Sequence, residues 1–396
     1  MPIKDLSSTQ TYINPDTDVI NLVNRIINNA IKEGASDIHI EPGKDKLIVR
    51  IRVNGILKVL FEIPSDLTKS LISRIKVMTE LNTTGIPRPQ EGSIKVQIAD
   101  RDIDLRVSIF PIIYGECVVM RILESINKYE NFEDLGFSVE QAEMLEGVIH
   151  KPFGLILVTG PVGGGKSTTL FSILNKLNEP TKSLVTLEDP VERKMDHVRQ
   201  TQVNPDVGLT FASGLHFQLR QDVNVIMVGE IRDQETANIA IQAAMTGQLV
   251  LATIHANSAA GVIVRLLGMG IEPYMIVSAL KLVTSQRLAR INCPHCRREA
   301  IPPLSALTKM GVSQGTKFFN SSGCDKCGGK GVVGRFGIHE VLRVSDKIKE
   351  AVYENYSESK IVEIAKSEGM ALMKDIVLQR AEEGTISLEE AMRLAE

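Results

Sequence analysis

One stretch constrains this chain more than any other: residues 154–169, Gly154-Leu-Ile-Leu-Val-Thr-Gly160-Pro-Val-Gly-Gly-Gly165-Lys166-Ser167-Thr-Thr169. The apolar run Leu155 to Val158 reads as a buried strand. A glycine-rich loop follows, and Ser167 opens a helical pattern through Leu170, Ile173, Leu174 and Leu177. Strand, loop and helix in that order carry the G-x-x-x-x-G-K-[ST] spacing from Gly160 to Ser167. Glycines let the backbone curl so that successive N–H groups point at phosphate oxygens, and the helix N-terminus adds its positive end. The candidate cradle for ATP is therefore Gly160, Pro161, Val162, Gly163, Gly164, Gly165, Lys166, Ser167, Thr168 and Thr169. Lys166 would reach the β- and γ-phosphates, and the Ser167 hydroxyl would ligate Mg²⁺. The bland alternative is a glycine-rich turn with no ligand; a flanking strand and helix speak against it. The guanine signature N-K-x-D is absent, since Asn175-Lys176-Leu177 continues to Asn178.

A chain of 396 residues has room for two or three domains, and 43% hydrophobic with 23% charged residues suits a globular core. The net charge of −3 argues against a broad nucleic-acid-binding face, so no direct nucleic-acid partner is expected. No apolar stretch approaches the ~18 residues that span a bilayer. The N-terminus lacks the basic-then-apolar layout of a signal peptide. Four of the five cysteines form two C-x-x-C pairs, with Cys117 alone, a usage that suits metal binding in a reducing cytoplasm.

Residues 1–15 read as a polar tail and 16–123 as a mixed α/β domain. A helix capped at Asp16, Thr17 or Asp18 carries the stripe Val19, Ile20, Val23, Ile26, Ile27 and Ile31. Strands follow at 37–41 and 46–53, and Asn54-Gly55 is a two-residue hairpin turn into 56–63. A second helix at 67–81 precedes strands at 93–99, 102–109 and 117–123. The charged residues from Glu124 read as a linker running to 137. The remainder, 138–396, alternates strands (155–159, 183–187, 225–229, 249–254) with helices (138–149, 166–178, 210–221, 233–246, 258–268). That pattern predicts a largely parallel sheet covered on both faces, with ligand at the carboxyl ends of the strands. Residues 291–334 read as a loop-rich insert and 345–396 as short amphipathic helices.

Three polar clusters close strands beside the phosphate loop. Val225–Val228 ends in Gly229-Glu230, a carboxylate where a Walker-B acid must sit to hold Mg²⁺ or polarise water. Glu188, Asp189 and Glu192 end the preceding strand at Pro190. His255 ends Leu249–Ile254 and is a candidate for touching the γ-phosphate, although a lone histidine is more often structural.

From here a resemblance becomes specific. Thr186–Glu192, Gln221–Asp233 and Thr246–Asn257 resemble the acidic, Walker-B and histidine boxes of the type II secretion and type IV pilus assembly ATPases, and the similarity runs from about Asp16 to Glu396. The resemblance implies a RecA-like ATPase domain behind a PAS-like amino-terminal domain, in a cytoplasmic homo-hexamer peripheral to the membrane. It implies that Glu230 is the catalytic acid, that Glu188, Asp189 and Glu192 arrange Mg²⁺ and water, and that His255 reads the γ-phosphate. Arginine fingers would be Arg106, in Ile103–Ser108, and Arg121, in Val118–Leu123. Three positions depart from the family pattern: Gln248 replaces a histidine, Val223 a proline and His216 an arginine. The additional amino-terminal domain with which many members dock on their membrane partner has no counterpart in the sequence.

Cys293-Pro-His-Cys296 and Cys324-Asp-Lys-Cys327-Gly-Gly form two knuckles, a thiolate set that favours structural Zn²⁺ over redox chemistry. Retraction-type relatives typically lack this insert, so the resemblance implies an assembly motor acting on pilins or pseudopilins through an inner-membrane platform protein. A conjugation-type secretion ATPase, or a nucleotide-gated scaffold with negligible turnover, stands as the alternative.

Overall fold

The computed structural model describes residues 3–5, 12–13, 19–98, 101–123, 131–313 and 315–395. The chain divides into two compact units, Met1–Ser125 and Ile126–Glu396. Most of the tail at 1–15, and 124–130 of the expected linker, lie outside the described residues.

The first unit begins with β1 (Ile3–Asp5) and β2 (Tyr12–Ile13), then α1 (Val19–Lys32). The helical period turns Leu22, Val23, Ile26, Ile27 and Ala30 inward. That face is rotated from the expected stripe, leaving Ile20 exposed. Next come β3 (Ala35–Pro42), β4 (Lys46–Val53), β5 (Ile56–Pro64), α2 (Thr68–Met78), β6 (Gln90–Ile98), β7 (Arg101–Ile112) and β8 (Gly115–Leu123). Asn54 and Gly55 both hold positive φ, 52° and 81°, as the tight turn between β4 and β5 requires. The sheet order is β2-β1-β5-β4-β3-β8-β7-β6, antiparallel throughout. Helices α1 and α2 pack on it through Leu22, Ile26, Leu71 and Ile75.

The second unit opens inside the stretch expected as linker. A 3₁₀ turn at Phe132–Leu135 buries Phe132 and Leu135, and Phe137 follows them into the core. Charges on either side of these aromatics made the segment read as solvated. Then follow α3 (Val139–Ile149), β9 (Gly154–Thr159), α4 (Lys166–Leu177), β10 (Leu184–Glu188), β11 (Val198–Gln202), α5 (Phe211–Gln218), β12 (Val225–Ile231), α6 (Gln234–Met245), β13 (Leu249–Ile254), α7 (Ala259–Gly268), α8 (Pro273–Ala279) and β14 (Leu280–Asn292). The order β11-β10-β12-β13-β9-β14 is parallel, and β17 (Val332–Arg343) closes the edge antiparallel to β14. Alternate strand residues feed two cores: Leu155, Leu157 and Val250 face α6 and α7, whereas Ile156, Val158 and Leu251 face α3 and α4. Burial on both sides explains why β9, β10 and β13 are mostly apolar along their whole length, with Thr186 and Glu188 of β10 among the buried exceptions.

Two differences from the sequence reading concern this sheet. β11, β14 and β17 were not among its expected strands: β11 is a polar edge strand, and β14 carries Lys281, Arg287 and Arg290 among its apolar residues. The insert is also more ordered than expected. It holds β15 (Arg297–Ala300) paired with β16 (Phe318–Ser321), and α9 (Leu304–Met310). Leu307, Met310 and Phe318 share a core with α12 (Met373–Glu382) and α13 (Leu388–Ala395), which follow α10 (Asp346–Tyr353) and α11 (Glu358–Ser367). Among the described residues, no helix is long and apolar enough to cross a membrane.

Candidate nucleotide site and tetracysteine centre

The phosphate loop leaves the carboxyl end of β9 and enters α4 at Gly165, whose φ of 88° lies in the left-handed region. A Cβ at Gly160 would come within 2.3 Å of the Gln286 carbonyl, so glycine there permits close approach of the loop to β14. Gln286 is the floor of the loop. Its buried amide donates to the Gly164 carbonyl (2.7 Å), and its Oε1 accepts from Thr169 Oγ1 (2.9 Å). The Thr169 hydroxyl is thus committed inward, while Ser167 and Thr168 remain half-buried at the mouth. Lys166 folds back and donates to the carbonyls of Gly160 (2.9 Å) and Pro161 (3.0 Å). Burial holds its pKa below the usual lysine range, partly offset by Glu230 and Glu192.

Glu230 is aimed by backbone irregularity. The β12–β13 register shifts between Val228 and Ile231, and the displaced Gly229 carbonyl accepts from Thr253 Oγ1 (2.6 Å). Arg232 donates to Glu230 in a short contact, and this bond first, then the charges of Arg232, His255 and Lys166, keeps the carboxyl below its usual range despite burial. His255 Nε2 lies 3.6 Å from Glu230 Oε2, and Arg232 also stands 3.7 Å from Asp189. The structure therefore brings Lys166, Glu192, Glu230, His255 and Asp189 to one edge of the sheet, around an arginine the sequence reading passed over. Glu188 is set deeper. Burial raises its pKa, while Thr186 Oγ1 (2.6 Å), Gln200 Nε2 (3.0 Å) and the Glu192 amide (3.4 Å) donate to it.

Arg106 and Arg121 belong to the first unit, directly opposite each other on β7 and β8. Arg121 Nε pairs with Asp37 at 3.1 Å yet stays 67% exposed.

The three departures from the family pattern lie away from the loop. Val223 is core, His216 sits on α5 beside Arg220 (3.3 Å), and Gln248 precedes β13, its carbonyl accepting from the Gly154 amide (3.1 Å). Gln248 and Gly154 are at the amino ends of their strands, a strand's length from the phosphate loop.

In the insert, Cys293, Cys296, Cys324 and Cys327 bring their sulfurs within 4.8 Å of one another. The sulfur pairs 293–324, 296–327 and 324–327 measure 3.9, 4.0 and 3.8 Å. Tetrahedral Zn–S bonds of about 2.3 Å require S···S separations of roughly 3.8 Å, so the set fits zinc. The amides of Cys324 (3.1 Å) and Gly331 (3.2 Å) donate to Cys327 Sγ, as a thiolate knuckle needs.

Comparison with known proteins agrees with this geometry. Residues 14–393 match the family model described as type II/IV secretion system protein. The chain is 45% identical over 374 residues to the type IV pilus assembly ATPase PilB of Thermus thermophilus, covering 93% of this chain but only 42% of that protein. It is 42% identical over 379 residues to the type II secretion system protein E of Dickeya dadantii, covering 96% and 76% of the two chains. A crystal structure of the pilus retraction motor PilT with bound ADP is similar at a TM-score of 0.63 and 26% identity, over 93% of this chain and 96% of that one. The chain belongs to the type II/IV secretion system protein family, the family of the secretion and pilus ATPases.

Proposed function

We propose that this chain is a motor ATPase that hydrolyses ATP to drive assembly of pilin or pseudopilin fibres. The observation that carries the reading is Glu230: a carboxylate bulged out of β12, held ionised by Arg232 and facing Lys166 and His255. The amides of Gly163 to Thr168 bind the phosphates, and Lys166 exchanges its loop carbonyls for phosphate oxygens. Mg²⁺, bound with help from the Ser167 hydroxyl, supplies charge neutralisation. Glu230 orients the attacking water and accepts its proton, because only an ionised carboxylate can take one. Glu188, with Gln200 and Glu192 on its oxygens, positions the loop that presents Asp189 and Glu192. His255 donates toward the γ-phosphate. The four cysteines hold a structural Zn²⁺ that contributes to folding of the insert and takes no part in hydrolysis.

In this reading the protein works as a homo-hexamer on the cytoplasmic side of the inner membrane, against a platform protein of the secretion or pilus machine. Arg106 and Arg121, paired on β7 and β8, serve as arginine fingers for a neighbouring subunit, an effect worth about 10³–10⁵ in rate where fingers act in trans. The experiment is subunit mixing. An Arg106→Ala/Arg121→Ala protein and a Glu230→Gln protein are each nearly inactive, and mixed rings recover phosphate release through sites that combine one wild-type half from each. Native mass spectrometry establishes subunit exchange first. With exchange established, no recovery at any ratio overturns the trans assignment.

A further inference from the structure

At the end of the second sheet opposite the phosphate loop lies a cleft of about 680 Å³. Gly154 at the start of β9, Lys281 near the start of β14 and Arg343 at the end of β17 place it there. β9 has six residues, so about 20 Å of strand separates it from the nucleotide end. The charge of the cleft is lopsided. Lys151, Lys281, Arg343, Lys347 and Lys349 line it, against Asp346 and Glu368.

The acids are already engaged. Lys349 donates to Asp346 at 2.6 Å, and Ser345 Oγ donates to Glu368 at 2.6 Å. Among the described residues, no acid contacts Lys281. Its stem lies where a Cβ on Gly154 would come within 2.6 Å, its Nζ donates to the Ser278 carbonyl (2.8 Å), and it stands 5.6 Å from the Phe153 ring. Burial, then the charges of Lys349 and Lys151, disfavour its protonated form. A half-buried ammonium crowded by like charges is costly to hold. An anion seated among these cations removes that cost, and the first turn of α10, capped by Ser345, adds N–H groups on the same rim. Phe153, 42% exposed, gives the cleft one apolar wall.

We propose that this cleft binds a phosphate-bearing anion, with Lys281, Arg343 and Lys347 as its principal ligands. Charge-assisted bonds from ammonium and guanidinium groups to phosphate oxygens are the chemistry such a set offers. The ligand is a free phosphate ester or the phosphate of a lipid headgroup.

The test uses the full chain carrying Lys166→Ala, which weakens phosphate binding at the loop, in Mg²⁺-free buffer. Calorimetric titration with inorganic pyrophosphate, and co-sedimentation with vesicles of phosphatidylglycerol against phosphatidylcholine, are the two arms. Adding Lys281→Gln, Arg343→Gln and Lys347→Gln weakens pyrophosphate or vesicle binding at least tenfold. In an otherwise wild-type chain the same triple change leaves ATP turnover within about twofold, which separates this site from the nucleotide function. Lys347→Gln alone, on an exposed side chain that cannot compromise folding, gives a smaller loss in the same direction. Pyrophosphate binding without vesicle binding assigns a free ligand, and anionic vesicles alone assign a headgroup. Binding in neither arm, or binding undiminished in the triple variant, overturns the proposal.

Discussion

The two ends of the second unit's sheet carry polar chemistry of opposite kinds. At the carboxyl ends, Lys166, Glu230, Arg232, His255 and Asp189 form a mixed-charge cluster in which each group leans on another. At the amino ends, Lys151, Lys281 and Arg343 gather with little to neutralise them, and Gln248 sits nearby on the same edge. Same-sense strands put six chain crossings at each end, so position alone does not make an active site. Backbone does: glycines at 160, 163 and 165 and a bulge at Gly229-Glu230 bend the chain toward a ligand at one end, whereas at the other end an irregularity at Lys281 of β14 presents charged side chains and no loop of backbone amides.

The largest effect that separates the ends comes from Glu230→Gln. Phosphate release falls by about 10²–10⁴-fold while fluorescent-nucleotide affinity holds, because the carboxylate works on the water and not on the phosphates. Wild-type turnover in this variant would erase the distinction between the ends. Next in size is the metal. Cys293→Ser or Cys324→Ser releases one Zn²⁺ per chain by elemental analysis and lowers the melting temperature by several degrees, since a structural site contributes folding energy directly. Metal-free wild-type protein with unchanged melting would remove zinc from the description. Gln286→Ala tests whether the loop needs its floor. It strands the Gly164 carbonyl and the Thr169 hydroxyl, costing about 1–3 kcal/mol. The concentration of ATP at half-maximal rate rises roughly 5- to 150-fold, with the maximal rate changing less. The smallest effect belongs to the far end: Gln248→His, restoring the residue usual in the family, changes turnover by less than about twofold. A tenfold gain there would mean that the amino ends communicate with the nucleotide site.

The same contrast explains what could be read from sequence. The nucleotide end is built from contiguous runs, so Gly160–Thr169, Glu230 and His255 announce themselves by spacing and by their place after apolar strands. Arg232 is in one of those runs, yet an arginine two residues beyond a strand acid looks like surface charge until its contact with Glu230 is seen. Gln200 and Gln286 are harder still. A glutamine committed to an internal hydrogen bond is spelled like a solvated one, and their strands, β11 and β14, show no clean apolar period because one is an edge and the other carries three basic residues. The basic cleft draws its lysines from separate segments, each unremarkable alone. In the first unit the hairpin at Asn54-Gly55 was legible because two positive φ angles require such residues; the rotated face of α1 was not, because Ile20 and Leu22 are equally apolar on paper.

β14 and β17 pair in one register from Leu282–Arg343 to Arg290–Arg335, and the register shifts once before Asn292–Val332. The cysteine-bearing segment is thus the tip of a hairpin, and a tip is the part of a sheet whose length evolution can alter most freely, since longer closure costs only slowly more entropy. What ties it down is packing: Leu307 and Phe318 grip α12 and α13. Removing the tip would therefore bare the apolar faces of Val377, Ala381 and Leu388 to water, so the tip and the last helices are expected to vary together.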